Sequence, residues 1–537
     1  MKEKRCPSLK FFLMIVLLFS YFICIPFTSL FAATITHGPR IGLVTSSEAT
    51  IYWDTDVSTI GKIQYGTSSS YGSSQDETTA RTNHRITIEG LSPETTYYFK
   101  AVSDDAQSES TLTTAPTRQD AIFKFATMGD NRGKSDQNDI QGLPVFFTDL
   151  LSDMEKRNPA FAFNIGDLFY GYTPDINKMR QLYASFKRAT DPLAKEIPYL
   201  VSPGGHEMSP YNSTDPQPGF DPLALWNEQF AQPNVLNGHE GTVYSWDWGN
   251  THFSSIDSDL YEHGKPSEGL CVIDDAQIQW LENDLTQAQK KGVRHIFVLS
   301  HCHAFRQTGA QLFNQGSVNP VQRDKFWAVL EKYNVNAYIT GHEHRFIDTL
   351  AQDGGEGSNI DFKVIQWLNG NCGFDADPVT GKHEYTLWTV AGDTVKAELI
   401  DTSGTISLTK TFLSRQPVTI PTLDIKANGQ DGPLTVSSGT PISITASLAP
   451  GNENGKLADW WIAGSTPWGL YTLTSSGWSP GINMLGQYPL ISISPVEIFN
   501  GSPPVGDYVF YFAVDMSPNG VLDSPFYYDF VQVHVVS

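Results

Sequence analysis

The chain has 537 residues, of which 40% are hydrophobic and 12% aromatic. It is therefore not a wholly disordered protein, and it is long enough for roughly three to four packed domains. The formal net charge of −22 argues against nucleic acid as the main partner, because a nucleic-acid backbone needs a basic surface. The charge does not exclude a phosphate ester that is held by metal ions.

Residues 1–33 have the pattern of a secretory signal peptide. A basic start at residues 2–5 is followed by an uncharged apolar run from Phe11 to Ile25 and by small residues at Ala32 and Ala33. The run is shorter than the roughly 20 residues that a membrane-spanning helix needs. We therefore expect a secreted or periplasmic (extracytoplasmic) protein with no membrane span after signal removal. An uncleaved anchor is the alternative.

Three regions of different character follow the signal. Residues 34–116 contain short runs of aromatic and β-branched residues between turns, which is the pattern of a fibronectin type III-like β-sandwich. Residues 121–412 alternate apolar strand-like runs with helical segments, which predicts a multidomain protein with a central α/β layer architecture. Residues 418–537 are again rich in strand-like runs and predict a C-terminal β-sandwich.

Five buried strands are predicted in the central region, and a glycine or histidine follows each of them within two residues. They lie at 122–128, 160–165, 199–202, 296–300 and 337–340. Ligands in open α/β sheets bind just past the carboxyl ends of strands. The polar residues at these five ends therefore point to a single site.

The residues after these strands offer a mixed set of oxygen and nitrogen ligands. They read Gly129-Asp130-Asn131-Arg132-Gly133, Gly166-Asp167-Leu168-Phe169-Tyr170, Gly204-Gly205-His206-Glu207, Ser300-His301-Cys302-His303 and Gly341-His342-Glu343-His344. Such a set suits iron, zinc or manganese better than copper or calcium. A bridging carboxylate can hold two ions ~3.5–4 Å apart, close enough to act on one phosphoryl group.

This order of motifs resembles the signature of the calcineurin-like metallophosphoesterase superfamily. The tyrosine of Gly-Asp-x-x-Tyr resembles that of purple acid phosphatases in particular, as does the β module with its Tyr65-Gly66 and its run at 90–97. The resemblance covers about residues 34–412. It implies a central αββα sandwich and an acid phosphatase-like hydrolase in which a metal-bound hydroxide attacks phosphate esters.

The resemblance also assigns metal ligands by family analogy. One ion, usually ferric iron, would be held by Asp130, Asp167, Tyr170 and His344. A second, divalent ion (zinc, iron or manganese) would be held by Asp167, His301 and His342, with Asp167 bridging. A phenolate is a hard, anionic donor, so Tyr170 suits Fe(III) and would colour the protein.

Two further histidines are candidates for catalysis. By the same analogy, His206 would bind the phosphate or protonate the leaving oxygen. His303 is a candidate for the same work, or it merely follows the ligand His301.

Two positions depart from the pattern of the superfamily. Gly205 stands where Gly-Asn-His-Glu has an asparagine ligand, so either water or Glu207 completes the second site or that ion binds weakly. Arg132 stands where many members have a histidine ligand, which purple acid phosphatases do not need. Its guanidinium either clamps a phosphate oxygen in catalysis or forms a structural salt bridge.

The remaining cysteines and the tail allow fewer conclusions. Only Cys271, Cys302 and Cys372 follow the signal, so at most one disulfide forms, and their spacing does not suit a cysteine zinc site. Two features of the tail have structural alternatives. Calcium could bind at Asp515, Asn519 and Asp523, and the alternative is an acidic turn without an ion. A sugar could bind at Trp460, Trp461 and Trp468, and the alternative is that these side chains pack in the core.

Two functions follow from these observations. The first is hydrolysis of phosphate esters by a secreted, dinuclear metal enzyme. The second is a binding or adhesion protein of the same fold that lost its second ion through Gly205. Metal stoichiometry and turnover of an aryl phosphate distinguish the two.

Overall fold

The structure is a computed structural model that describes residues 32–208, 220–259, 271–305, 320–350, 364–414, 420–523 and 526–537. The predicted signal sequence lies outside the described residues, apart from its last two positions. Within the described ranges, no helix is long and apolar enough to cross a membrane.

The first seven strands form a two-sheet β-sandwich, as the sequence predicts. They are β1 (Ile35–Val44), β2 (Glu48–Thr59), β3 (Gly61–Gly66), β4 (Ser73–Asp76), β5 (Arg81–Glu89), β6 (Thr96–Ser103) and β7 (Ala106–Thr113). One sheet has the order β1-β2-β5 and the other the order β4-β3-β6-β7. Alternate residues of β6 are buried, so Phe99 joins the same core as Trp53 of the facing sheet. The Tyr97 hydroxyl accepts a hydrogen bond from the Ser92 amide at 2.9 Å and so fixes the corner before β6.

Two six-stranded sheets form the centre of the next region. Their strands are β8 (Ile122–Met128), β9 (Phe161–Ile165), β10 (Tyr199–Ser202), β11 (Tyr244–Trp248), β12 (Thr251–Ser255), β13 (His295–Leu299), β14 (Ala337–Thr340), β15 (Phe346–Leu350), β16 (Ile365–Asn369), β17 (Glu384–Ala391), β18 (Thr394–Asp401) and β19 (Ile406–Leu413). The orders are β10-β9-β8-β17-β18-β19 and β11-β12-β13-β14-β16-β15.

Helices of the same region cover the outer faces of the two sheets. They are α1 (Asp136–Gln141), α2 (Val145–Arg157), α3 (Ile176–Glu196), α4 (Gly205–Met208), α5 (Pro222–Gln229), α6 (Asp275–Lys290) and α7 (Pro320–Lys332). Apolar residues of α2 and α3 join one core, and those of α6 and α7 join another.

Aromatic side chains fill the space between the two sheets. The ring of Phe125 on β8 stacks on Trp388 of its own sheet, with centroids 5.6 Å apart. Its edge meets Phe253 and Phe297 of the facing sheet, at 5.0 Å and 5.4 Å between centroids. Such edge-to-face pairs suit the interior of a sandwich. The predicted αββα architecture is therefore confirmed.

The five strands predicted from the sequence divide between the two sheets. β8, β9 and β10 belong to the first sheet, and β13 and β14 belong to the second. β8, β10 and β14 have the predicted bounds, whereas β9 begins one residue later and β13 is displaced by one residue. The carboxyl ends of β8, β9, β13 and β14 meet at one edge of the sandwich, where the candidate site lies.

The last ten strands form a second two-sheet β-sandwich. They are β20 (Thr422–Ala427), β21 (Leu434–Ser437), β22 (Ile442–Ala449), β23 (Leu457–Thr466), β24 (Gly469–Thr474), β25 (Gly477–Pro480), β26 (Gly486–Pro489), β27 (Ile493–Gly501), β28 (Gly506–Asp515) and β29 (Phe526–Val536). The sheets have the orders β20-β22-β27 and β21-β29-β28-β23-β24-β25, and β26 pairs with β23. Trp460 and Trp461 are buried, as the core alternative predicts, but Trp468 is 62% exposed.

A buried ion network stabilises the outer edge of the second sheet. Nδ1 of His252 on β12 lies 2.6 Å from the carboxylate of Asp247, and Nε2 lies 2.9 Å from that of Asp284. Both nitrogens therefore donate, as in a protonated ring. Burial alone would lower the pKa of His252, but the charges of Asp284 and Asp247 raise it to about 9.

This network predicts a loss of stability in alkaline solution. The contribution of His252 is complete below its ordinary pKa of 6.5 and is lost as the pH rises through about 9. His252→Gln should lower the free energy of unfolding at neutral pH by about 1.5–3 kcal/mol, because two partly buried carboxylates lose charged hydrogen bonds to their shared cation. The free energy of unfolding of His252→Gln should also depend less on pH between 6.5 and about 9 than that of the wild type. Calorimetry of the full chain measures this dependence. His534→Gln, which removes an exposed pair with Asp507, is the control and should change little. A wild-type pH dependence in His252→Gln would contradict this account.

Candidate metal centre

Three predicted ligands directly follow strands in the left-handed backbone region. Asp130 follows Gly129 after β8 with a φ of 54°, and Asp167 follows Gly166 after β9 with a φ of 51°. His342 follows Gly341 after β14 with a φ of 74°. Aspartate and histidine are among the non-glycine residues that tolerate this region. The sharp turns bring the three side chains together beyond the edge of the sheets.

Asp130, Asp167 and His344 form one group of potential metal donors. Each offers an atom within 4.8 Å of the other two. Nε2 of His344 lies 3.6 Å from Oδ1 of Asp130, and that buried oxygen has no hydrogen-bond partner among the described residues. Burial and the charge of Asp167 raise the pKa of Asp130 above its usual value. Two buried carboxylates so close together repel each other, so the group fits a bound cation.

A second group of donors shares Asp167. Nε2 of His301 lies 3.4 Å from Oδ1 of Asp167 and 3.2 Å from Nδ1 of His342. Nδ1 of His301 donates to the Ile165 carbonyl at 2.7 Å, so Nε2 is the nitrogen that faces Asp167. Burial lowers the pKa of His301, but the charges of Asp167 and Asp130 raise it well above its usual value, and a bound metal ion would take the place of the proton on Nε2. Metal-binding histidines characteristically donate their other nitrogen in this way. His301 thus joins Asp167 to His342, and the binding of a second ion by these three residues stays a prediction.

Glycines make the room that the Asp130 carboxylate occupies. A Cβ atom at Gly341 would lie 2.3 Å from Oδ2 of Asp130, and one at Gly370 would lie 2.5 Å from the same oxygen. Since real Cβ atoms do not approach an oxygen so closely, both positions need glycine. A similar approach occurs at Gly204, where a Cβ atom would lie 2.5 Å from Oδ1 of Asp167.

Glu207 holds the loop of Asp167 and is not placed as a ligand. Its Oε2 accepts hydrogen bonds from the amides of Asp167 and Gly204 at 3.0 Å and 2.8 Å, and its Oε1 accepts one from Leu168 at 2.9 Å. Both oxygens are thus engaged by backbone. These contacts give Glu207 a structural role, and its replacement of the asparagine missing at Gly205 stays a prediction.

Asp139 is a supporting residue that the motifs did not reveal. Oδ2 of this buried carboxylate accepts hydrogen bonds from the amides of Gly133 and Tyr170 at 2.8 Å and 2.6 Å. It thereby joins the loop of Asp130 to the loop of Asp167. Asp139 lies on α1, outside every motif, so no local signal in the sequence indicates this role.

Arg132 and Tyr170 lie beside the first group of donors. The guanidinium carbon of Arg132 lies 5.6 Å from the centroid of the Tyr170 ring. Its Nη2 lies 3.2 Å from the carboxylate of Asp375 and 3.1 Å from Nε2 of His344. Arg132 thus forms a salt bridge with Asp375 next to the donors, as one of the two alternatives from the sequence predicts. The roles of Tyr170 as an iron ligand and of Arg132 as a phosphate clamp stay predictions.

His206 lies against Asp167 as a neutral ring. The amide of Gly171 donates to Nδ1 of His206 at 3.1 Å, so Nε2 carries the proton and lies 3.7 Å from Oδ2 of Asp167. The ring stacks on Tyr172 with centroids 3.7 Å apart. Burial lowers the pKa of His206 to about 3. The ring therefore offers a hydrogen bond from Nε2 rather than a positive charge.

His303 lies on the His342 side of the centre. Its Nε2 is 3.9 Å from the carboxylate of Glu343, and its ring centroid is 6.1 Å from that of His342. Its catalytic role stays a prediction.

A disulfide anchors the loop that carries His301. Cys271 and Cys302 are bonded to each other, and Cys372 is buried as a free thiol. This agrees with the limit of one bridge set by the cysteine count. The two bonded sulfur atoms also lie near His342, but bonded sulfurs are not thiolates and do not make a metal site.

The candidate calcium loop is held together by hydrogen bonds from its backbone amides to aspartate side chains. Oδ1 of Asp515 accepts a hydrogen bond from the Ser517 amide at 2.8 Å, and its Oδ2 accepts one from the Asp523 amide at 2.6 Å. The Asn519 amide donates to Asp459 at 3.1 Å. These bonds describe an acidic turn, and calcium binding there stays a prediction.

Two parts of the chain match models of known protein families. Residues 38–118 match the purple acid phosphatase N-terminal domain, and residues 137–346 match the calcineurin-like phosphoesterases. The chain belongs to the purple acid phosphatase-like group of the calcineurin-like phosphoesterases. All the predicted ligands except Asp130 lie within the second match, so Asp130 is supported by its geometry alone.

Relatives of this family share part of their length with the chain. Probable purple acid phosphatase 20 of Arabidopsis thaliana is 24% identical over 320 residues, which cover 57% of this chain and 67% of that protein. Acid phosphatase type 7 of Mus musculus is 25% identical over 275 residues, which cover 49% of this chain and 56% of that protein. The matches thus span about half to two thirds of these curated relatives.

Two solved structures share the fold of this chain. The purple acid phosphatase PPD1 from yellow lupin (Lupinus luteus) seeds has a TM-score of 0.54 at 17% identity and covers 70% of this chain and 74% of its own. The structure of PhoD has the same TM-score, 0.54, at 13% identity and covers 71% of this chain and 91% of its own. At these identities the likeness supports the fold alone.

The three backbone contacts of Glu207 predict a local loss of stability in Glu207→Gln. A glutamine amide group cannot accept, so at least one backbone amide loses its partner, at a cost of about 1–3 kcal/mol. Amide hydrogen exchange across residues 166–170 should accelerate accordingly. Glu196→Gln, at an exposed position on α3, serves as the control. Unchanged exchange in Glu207→Gln would show that the carboxylate does not hold this loop.

Proposed function

We propose that the protein is an exported phosphoesterase that hydrolyses phosphate esters at a two-metal site, as acid phosphatases do. The observation that carries this proposal is the position of Asp167, whose carboxylate belongs to two separate groups of donors. Membership of the purple acid phosphatase-like phosphoesterases supports it.

The donors divide by chemistry between the two ions. Asp130, Asp167 and the phenolate of Tyr170 are hard oxygen donors, which with His344 suit ferric iron. The second group, with two imidazoles, suits divalent zinc, iron or manganese. When bound, such a pair of ions would supply the positive charge that attracts and polarises a phosphate ester.

His206 would bind the substrate as a neutral imidazole. It would not act as a protonated imidazolium that gives its proton to the leaving group. Its Nε2 carries the ring proton and lies next to Asp167, the carboxylate that the two groups of donors share. Because burial lowers the pKa of His206, the ring stays neutral even in moderately acidic solution. We therefore assign to His206 a hydrogen bond to a phosphate oxygen, and to Arg132 a second contact at the rim.

Export is supported by the cysteines. The Cys271–Cys302 disulfide is typical of an oxidising compartment, because the cytosol keeps most thiols reduced. The apolar segment at the start of the chain supports the same location. We accordingly propose a secreted or extracytoplasmic enzyme whose N-terminal sandwich is fibronectin type III-like.

The function is tested by metal analysis combined with an activity screen. The purified mature protein should bind two ions per chain and hydrolyse an aryl phosphate in acidic solution. One ion or none, without turnover, would favour the alternative of a binding or adhesion protein of the same fold.

Loss of the shared carboxylate should affect both ions. Asp167→Asn should lower the total bound metal and reduce kcat/KM by at least about 100-fold, because even residues that only support ligands cost 10–100-fold when lost. The measurements are mass spectrometry of bound metal and steady-state kinetics. Two retained ions with normal turnover would place the site elsewhere.

Iron ligation by Tyr170 should be visible in the absorption spectrum. The iron-loaded protein should have a phenolate charge-transfer band, and Tyr170→Phe should abolish it. Tyr172→Phe is the matched control, because Tyr172 stacks on His206 in the same pocket and is not a predicted ligand. A band that persists in Tyr170→Phe would refute the assignment.

A further inference from the structure

Gly205 has no side chain, and oxygen atoms of two other residues approach it closely. Gly205 begins α4, and its φ lies outside the left-handed region, so the backbone itself does not require glycine. A Cβ atom there would lie 3.3 Å from the hydroxyl of Tyr172 and 3.4 Å from Oδ1 of Asp259. These contacts are tight for a Cβ atom, so the two oxygen atoms already lie where an asparagine side chain would begin.

Asp259 borders this space and belongs to the neighbourhood of the second group. It is 6% exposed, and its charge interacts with His301 and Asp167. Gly204, next to Gly205 in the chain, lies against the same two residues. A Cβ atom at Gly204 would lie 2.5 Å from Oδ1 of Asp167 and 3.1 Å from Cδ2 of His301. Gly204 thus meets Asp167 and His301, and the next residue, Gly205, meets the Asp259 carboxylate, whose charge interacts with both of them.

The two oxygens of the Asp259 carboxylate have different surroundings: Oδ2 accepts a hydrogen bond, and Oδ1 faces Gly205. Oδ2 accepts a hydrogen bond from the Ser258 hydroxyl at 3.0 Å and lies 3.5 Å from Sγ of Cys302. The Cys302 amide donates to the Ser258 hydroxyl at 2.9 Å, and Asp259 forms a β-bridge with Val272. The disulfide partner of Cys302 precedes Val272, so the loop of Asp259 is attached to the loop of His301. Oδ1 is the oxygen that approaches Gly205.

We propose that Oδ1 of Asp259 supplies the oxygen ligand that Gly205 lacks, so that the second ion is bound by Asp167, His301, His342 and Asp259. The proposal rests on the two-metal function above. It replaces a neutral amide by a carboxylate, which adds one negative charge next to the ion. The second ion should consequently bind no more weakly than in relatives that have the asparagine.

Metal binding by the full chain tests this assignment without reference to activity. Metal-free protein is titrated with Mn²⁺ by calorimetry, and bound ions are counted by mass spectrometry. The wild type should bind two ions. The isosteric variant Asp259→Asn should keep the first ion and bind the second at least about tenfold more weakly, as expected for the loss of one charged ligand.

Two further variants separate ligation from loop structure. Asp257→Asn alters a buried carboxylate of the same loop, whose Oδ1 accepts a hydrogen bond from the Asp259 amide at 2.9 Å, and it should bind both ions normally. The double variant Gly205→Asn/Asp259→Ala restores the asparagine in the space that the smaller alanine leaves. It should bind the second ion more tightly than Asp259→Ala alone.

The outcomes separate this proposal from the proposed function. Two ions of unchanged affinity in Asp259→Asn would overturn the assignment of Asp259 and leave the two-metal function standing. An equal loss in Asp257→Asn would also overturn it, because the loop and not the ligand would then control binding. Fewer than two ions in the wild type would overturn both proposals.

Discussion

The buried carboxylates of Asp130 and Asp167 constrain the rest of the centre. Each follows a strand in a left-handed turn, and together with His344 their donor atoms lie within 4.8 Å of one another. Two such charges repel each other strongly when they are removed from water, and a cation between them relieves the repulsion. The glycines at 341 and 370 remove the side chains that would occupy the same space. A metal-binding function explains why the fold brings these two acids together.

The surrounding structure holds the ligands through backbone and covalent contacts rather than through further ligands. Glu207 accepts three backbone hydrogen bonds around the turn of Asp167, and Asp139 joins the turns of Asp130 and Asp167. The Cys271–Cys302 disulfide anchors the segment after β13. A site that spans the ends of two sheets needs such links, because no single sheet fixes the distance between its halves.

Local patterns in the sequence predicted the fold and the residues that the fold brings together at the candidate centre, and they failed where partners are distant in the chain. Buried strands such as β8 and β14 are short apolar runs that end in polar motifs, so their bounds and the residues after them were predictable. The sequence left water, Glu207 or a weakly bound ion as alternatives at Gly205, because the backbone amides that Glu207 binds cannot be seen in a motif. Asp259 carries no motif at all, and its proximity to Gly205 arises only when the segment after β12 in one sheet meets the segment after β10 in the other. The two β-sandwiches were predictable from the strand-like runs in the sequence. The same runs did not show that Trp460 is buried while Trp468 is exposed.

An anomalous-difference map of crystals of the metal-loaded protein would test the central claim most directly. The account predicts two peaks ~3.5–4 Å apart, the usual spacing of a two-metal site, with the carboxylate of Asp167 between them. One peak should lie at Asp130 and His344, and the other at His301 and His342. A single peak, or two peaks that do not share Asp167, would contradict the account.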